Sequence, residues 1–390
     1  GRFRRGREFL PKVWTKLGVF LFHFLARRRV DVLIYDEVGS VHVKKVVPVT
    51  AKVAILPVRD KIPLVLSLGL LRTFLSLLWR TKSQVRSAYL MACIEQYSPR
   101  VVISFVDNSP VMGMYGYLRP HVLVISIQNA IRGWTDYQIR RAPIYASLGS
   151  ATKELFSQAK IDYQEIRPVG SLPLGIFLCS NKSRTNARQI AFVSSFREAY
   201  LSSTEPFETS QRLAHIRCFR WLLNYCREKN LLLTVMAKGK VRNEGEHFTV
   251  EEEFFHGLAN GLPFHFESAV KDSWKPYQIA LSCEMLVVID STLGYEALSV
   301  GKRVLFGWHL HEHLAKVGEF FARYLPSELL LEGATDTELS DQADFIRGLD
   351  ECQYEDLIAA SKSIYVKQSQ CSPPHESLKR RIVEHLEARN

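Results

Sequence analysis

Asp290, Ser291 and Thr292 end a continuous apolar run, Leu286–Ile289, and open a stretch in which Leu293, Ala297 and Leu298 recur at helical spacing. Serine and threonine cap helices well. A helix start offers unpaired backbone N–H groups and the positive end of the peptide dipole; with two hydroxyls added, it suits a phosphate. Glu296 lies about one turn further in. Its carboxylate would repel a phosphate, but it can accept hydrogen bonds from a ribose or sugar hydroxyl. A plain strand–helix junction, of which most bind nothing, accounts for the same residues.

Other polar groups follow apolar runs in the same way. Val101–Phe105 ends at Asp107, Asn108, Ser109 and Pro110, and Val122–Ile127 ends at Gln128, Asn129 and Arg132. A carboxylate, amides and an arginine delivered to one edge are what a site for sugar and phosphate needs. Turn chemistry explains Asn, Asp, Ser and Pro on its own. Ile190–Val193 leads to Ser194, Ser195 and Arg197, which suit a phosphate or an ordinary turn. Lys238 follows the run Leu231–Met236, where its ammonium can balance a diphosphate or stand in water. His309, His311 and His313 alternate along one segment. They can line a cleft or lie on the surface; zinc needs a closed ligand set, and no metal is assigned.

The elements that must position these groups are strands buried on both faces alternating with helices. Val32–Tyr35, Val53–Leu56, Val101–Phe105, Val122–Ile127 and Ile144–Leu148 predict the strands of a first parallel sheet. Ile190–Val193, Leu231–Met236, Pro263–Glu267, Leu286–Ile289 and Val304–Phe306 predict a second. Polar Ser180–Gln189 reads as the linker. The 390 residues exceed what one core usually holds, so two domains are expected. The division is a basic N-terminal segment 1–30, a first domain 31–180, a second domain 190–370 and a terminal helix 371–390. Gly301 is expected to stop the helix that Ser291 and Thr292 open.

Hydrophobic content of 47% with 23% charged residues is ordinary for a globular protein. Seven cysteines show no C-x-x-C pair and read as free thiols. Net charge is +11, concentrated at the front, where residues 1–30 carry nine arginines and lysines against Glu8 alone. Aromatic and aliphatic residues alternate with them. Such a segment reads as a binder of an anionic membrane surface or as a helix packed on the first domain. No nucleic-acid-binding motif accompanies the charge, so no nucleic acid is expected as partner. Ile62–Trp79 barely reaches a spanning length and has Arg72 near its middle, so a buried or interfacial helix is expected. No stretch reads as a secretory signal with a cleavage site. There is no G-x-G-x-x-G, which argues against a nicotinamide or flavin enzyme.

At SFVDNSP (104–110), SIQNAIRG (126–133) and VIDSTLGYEALSVGKRVLFG (288–307), the chain resembles the surface-carbohydrate biosynthesis proteins of bacterial O-antigen and capsule clusters. VDVLIYDEVGS (30–40) is similar too. More broadly the chain is similar to GT-B-type glycosyltransferases and to capsule and teichoic-acid transferases. The resemblance spans about residues 30–330. It implies an α/β fold with two Rossmann-like domains whose parallel sheets face an inter-domain cleft. The acceptor would lie on the first half and a nucleotide-sugar donor on the second. Three features depart from the pattern. Ala130 stands where a glycine is expected after Gln-Asn, the paired glutamates of many retaining relatives are absent around Glu296, and there is no His-Pro pair, so the donor's identity does not carry over.

The resemblance implies transfer of a sugar from a nucleotide-sugar to a lipid-linked surface glycan. Ser194, Ser195, Lys238, Ser291 and Thr292 would hold the donor phosphates, and Glu296 a hydroxyl of the nucleotide or sugar. Asp107 would be the general base, with inversion the expected outcome. Asn108, Gln128, Asn129 and Arg132 would line the acceptor side. Helix dipole and lysine would stabilise the leaving nucleotide, so neither metal nor cofactor is called for. The enzyme would sit in the cytoplasm, peripheral at the inner face of the membrane where the lipid carrier lies. The alternatives are a nucleotide-sugar epimerase, a polyol-phosphate transferase, or a non-enzymatic glycan-assembly protein.

Overall fold

The computed structural model describes residues 29–58, 68–81, 84–133, 139–180, 186–240, 250–269, 274–368 and 372–388. Most of the basic N-terminal segment and the start of the apolar stretch 62–79 lie outside them. Among the described residues, eleven strands, most of them from the apolar runs, form two all-parallel sheets. The first holds β1 (Val32–Tyr35), β2 (Val53–Leu56), β3 (Val101–Ser104), β4 (Leu123–Ile127), β5 (Arg141–Ser147) and β6 (Asp162–Pro168), in the order β2-β1-β3-β4-β5-β6. The second holds β7 (Asn186–Val193), β8 (Leu232–Lys240), β9 (His265–Ala269), β10 (Cys283–Val288) and β11 (Arg303–Phe306), in the order β11-β10-β7-β8-β9. β1, β3 and β4 are buried throughout, as the unbroken apolar runs require.

The largest differences from the sequence expectation are at β6 and β7. β6 is largely polar along its length and exposed or half-buried, because it is the edge strand and only β5 flanks it. β7 begins at Asn186, inside the expected linker, and continues the ladder with β10 through a register shift.

The helices that matter for the site are α1 (Leu68–Thr81), α2 (Val85–Gln96), α3 (Pro110–Leu118), α4 (Leu172–Ser180), α5 (Pro206–Glu228), α6 (Lys275–Ser282), α7 (Thr292–Ser299) and α8 (Pro374–Glu387). α7 stops as predicted: Gly301 follows with φ of +81°, a conformation glycine adopts without penalty. Gly294 lets α7 lie close on its sheet, since a Cβ there would come within 2.6 Å of Val288 Cγ2. α8 returns to the first sheet, where Leu378 and Ile382 join a core with Val43, Val46, Ile103 and Ile176. The largest core belongs to the second sheet, yet it also takes in Leu148, Leu174 and Phe177 from the first half. Apolar packing therefore joins the halves. The six cysteines among the described residues are free thiols.

Candidate active-site cleft

Strand order locates the crevice. In the second sheet the connections run outward in both directions from the β7–β10 pair, and in open parallel sheets ligands bind outside the C-terminal ends of such a pair. Ser194 and Ser195 follow β7, and Asp290, Ser291 and Thr292 follow β10. A cleft of about 610 Å³ opens there. The second half lines it with Ser194, Ser195, Arg197, Lys238 and residues 290–292. Ala130, Ile131 and Arg132 line it from the first half, and Trp308 and Phe321 form an apolar wall. The halves touch at its floor, where the Ile131 N–H donates to Thr292 Oγ1 at 3.0 Å.

Ser194, Ser195, Asp290, Ser291 and Thr292 each have a hydrogen-bond partner. Ser291 caps α7 by accepting from the Leu293 N–H at 3.3 Å. The Ser195 hydroxyl donates to one oxygen of Asp290, and Gln211 Nε2 donates to the other at 2.6 Å. The Ser195 N–H donates to His215 Nε2 at 2.9 Å, while His215 Nδ1 sits 2.7 Å from the Gln211 carbonyl. That pattern fixes a neutral imidazole with its proton on Nδ1. Burial agrees, pushing the His215 pKa down. Sequence reasoning missed Gln211 and His215 because both lie inside α5, where a helical face explains them equally well. Ser194 Oγ accepts from the Phe196 N–H at 3.1 Å and shapes the turn.

Lys238 lies within β8, which runs four residues beyond its expected end. Its own N–H donates to buried Glu251 at 3.1 Å. Loss of hydration in the cleft lowers its ammonium pKa, and Asp290 partly opposes the shift. Among the described residues, Lys238, Arg197 and Arg132 bring three basic groups to a cleft whose one lining carboxylate, Asp290, is already engaged by Ser195 and Gln211.

The first half departs from expectation at its centre. Asp107 is buried, and its carboxylate is fully engaged. Arg132 donates to it through Nε at 2.8 Å and Nη2 at 2.6 Å, and the Tyr145 hydroxyl adds a third bond at 2.6 Å. Its oxygens face Arg132 and Tyr145, and it does not line the cleft. Asp107 therefore positions Arg132 instead of presenting a free base. Asn129 Oδ1 accepts from the same Nη2 at 2.7 Å. Gln128 turns away: its Oε1 accepts from the Leu148 N–H and the Thr152 hydroxyl, and its Nε2 donates to the Ala130 carbonyl. It shapes the loop that carries Ile131 and Arg132. Asn108 is half-buried and does not line the cleft.

Glu296 likewise stands elsewhere than expected. It is buried where the halves meet, accepting from the Ser171 hydroxyl and, at 3.0 Å, from that of Tyr277. Burial raises its pKa to about 7, against the opposing effect of both hydroxyl bonds. Glu296 thus braces α7 against α4 and α6. The three histidines diverge: His309 pairs with Glu332, and His311 caps the following helix by accepting from the His313 N–H.

Two Rossmann-like parallel sheets around such a cleft define the GT-B type of architecture. A family model described as "putative O-antigen biosynthesis protein" matches residues 163–356, which include the second sheet and the whole second-half lining of the cleft. No curated protein matches the sequence. Solved structures of the same fold include S. aureus MnaA with UDP, at 11% identity and a TM-score of 0.53 over 92% of this chain and 96% of that one. The UDP-GlcNAc 2-epimerase of Neisseria meningitidis bound to UDP-GlcNAc matches at 10% identity and 0.51, over 92% and 99%. The wall teichoic acid polymerase TagF with CDPG matches at 8% and 0.52, over 92% and 89%.

Proposed function

We propose that the protein is a glycosyltransferase that moves a sugar from a nucleotide-sugar to a lipid-linked acceptor in bacterial surface-polysaccharide synthesis. One observation carries this reading: the 610 Å³ cleft gathers Lys238, Arg197, Arg132 and the start of α7 around one space. Three cations and a helix N-terminus suit a diphosphate. Ser194, Ser195, Ser291 and Thr292 form the hydroxyl and amide rim on the donor side, and Trp308 and Phe321 give a base or sugar ring an apolar wall. The likeness to folds crystallised with UDP, UDP-GlcNAc and CDPG supports a nucleotide-sugar as substrate.

In this reading the cations stabilise the leaving nucleotide as its negative charge develops, which lowers the barrier without requiring a metal. Asp107 contributes by fixing Arg132 in place on the first-half wall of the cleft. The O-antigen family match supports a surface glycan as destination. A peripheral position at the inner membrane face follows from a lipid-linked acceptor and the +11 net charge.

A second reading, nucleotide-sugar epimerisation, is favoured by the likeness to the Neisseria meningitidis UDP-GlcNAc 2-epimerase and uses the same cleft. Incubation with radiolabelled CMP-, UDP-, GDP- and dTDP-sugars separates them. Transfer predicts free nucleotide and label in a lipid-extractable product. Epimerised nucleotide-sugar with no label in lipid overturns transfer, and the absence of any nucleotide-induced thermal shift overturns both.

A further inference from the structure

A surface helix normally turns one apolar stripe inward and a polar face to water. α1 is apolar on both sides. Leu70, Leu77 and Phe74 pack against the first-half core, and Phe74 meets Tyr89 of α2 edge-on at 6.2 Å. The opposite face carries Leu68, Leu71, Leu75 and Trp79, which are 88%, 50%, 54% and 84% exposed. Their spacing of three, four and four residues aligns them in one stripe along the helix. Large apolar residues in such a row mark an interaction surface.

Charge identifies what covers it. From Lys61 to Ile94 the sequence holds Lys61, Arg72, Arg80, Lys82 and Arg86 and no acidic residue. Arg72 and Arg80 are exposed on α1 itself, and Arg72 borders the stripe. An apolar row with an aromatic end and only positive charge beside it matches the boundary of an anionic bilayer, where side chains enter the acyl region and arginines reach the headgroups. At 14 residues α1 is about 21 Å long, too short to cross a bilayer. Among the described residues no helix is long and apolar enough to do so.

We infer that α1 lies in the headgroup region of an anionic membrane and sets the enzyme's orientation there. This deepens the peripheral placement proposed above by naming the face that docks. The position is useful. α1 ends beside the start of α2, where Gln84, Arg86 and Ser87 share a cavity of about 240 Å³ with Asp36 and Ser109 at the C-terminal edge of β1 and β3. Docking through Trp79 brings the acceptor half's open edge to the lipid surface.

Flotation of the full chain with phosphatidylglycerol–phosphatidylcholine vesicles, against phosphatidylcholine alone, tests this. The wild type is expected to bind the anionic vesicles at least about tenfold more tightly, and L75E/W79E to lose about tenfold or more of that affinity. R72Q/R80Q is expected to lose about fivefold per arginine, with weaker salt dependence. The melting temperature and nucleotide-induced thermal shift of these variants should match the wild type. Unchanged vesicle binding by L75E/W79E overturns the role of α1 while leaving peripheral attachment standing. If the wild type binds neither vesicle, both fall. If L75E/W79E turns an oligomer into a monomer and leaves vesicle binding intact, the stripe joins copies of the chain and the inference is overturned.

Discussion

The two sheets end in similar polar clusters and use them differently. After β7 and β10, the side chains of Ser195, Asp290 and Gln211 bond one another while Ser194, Ser195, Lys238, Ser291 and Thr292 still face open space. After β3 and β4, the clusters close on themselves. Asp107 is consumed by Arg132 and Tyr145, and Gln128 by the backbone around Ala130 and Leu148. Among the described residues of that side, only Arg132 and its loop neighbours reach the cleft. A polar residue at a strand's C-terminal end is thus raw material. Whether it meets a ligand depends on whether an opposite charge arrives first.

The largest expected effect comes from breaking the first-half cluster. Asp107→Ala leaves the Arg132 guanidinium in a mostly buried site without its counter-charge. Chemical denaturation should show a loss of about 3–5 kcal/mol. The D107A/R132M double variant should recover part of this loss, because the unpaired charge is gone. A stable Asp107→Ala protein that has lost turnover alone would restore the carboxylate to a direct chemical role.

Glu296 offers a pH test of the brace between the halves. Its folded pKa of about 7 lies above the ordinary carboxyl value, so the folded state holds a proton that the unfolded chain releases. Stability from this group is therefore full at acid pH and falls as pH rises from the ordinary carboxyl pKa to about 7. E296Q carries no such charge. The stability gap between E296Q and wild type should move in favour of E296Q by on the order of 3 kcal/mol between pH 5 and pH 8. A gap that stays constant across that range would remove the buried, proton-holding carboxyl.

On the second-half side, Lys238→Met should weaken nucleotide binding by roughly 10- to 100-fold in calorimetry, the loss of one charge-assisted contact to a diphosphate. Its melting temperature should hold, since the ammonium reaches toward open space. Unchanged affinity would leave the cleft without its proposed anion partner. The smallest effect is expected at Thr292→Val, which strips the acceptor from the Ile131 N–H. A loss of about 1 kcal/mol in stability is expected, with nucleotide affinity changed only a few-fold. A large affinity loss with no stability change would show Thr292 holding ligand instead of joining the halves.

Much of the fold is written locally. Unbroken runs such as Val32–Tyr35 and Leu286–Ile289, short and rich in β-branched residues, read as strands covered on both faces, and Ser291 with Gly301 brackets α7 by capping and by positive φ. The two-sheet plan and the second-half cleft residues could therefore be read from residue types and order. β6 could not, because an edge strand need not be apolar. The fates of Asp107, Gln128 and Glu296 could not be read either. Their partners Arg132, Tyr145, Leu148, Ser171 and Tyr277 stand 19 to 125 residues from them along the chain. Hydrogen bonds and ion pairs act over about 3 Å, so only the assembled structure decides which of many distant candidates comes that near. The sequence by itself determined the buried strands, the caps of α7 and the positive charge. Tertiary packing decided which polar groups satisfy one another and which are left for a ligand.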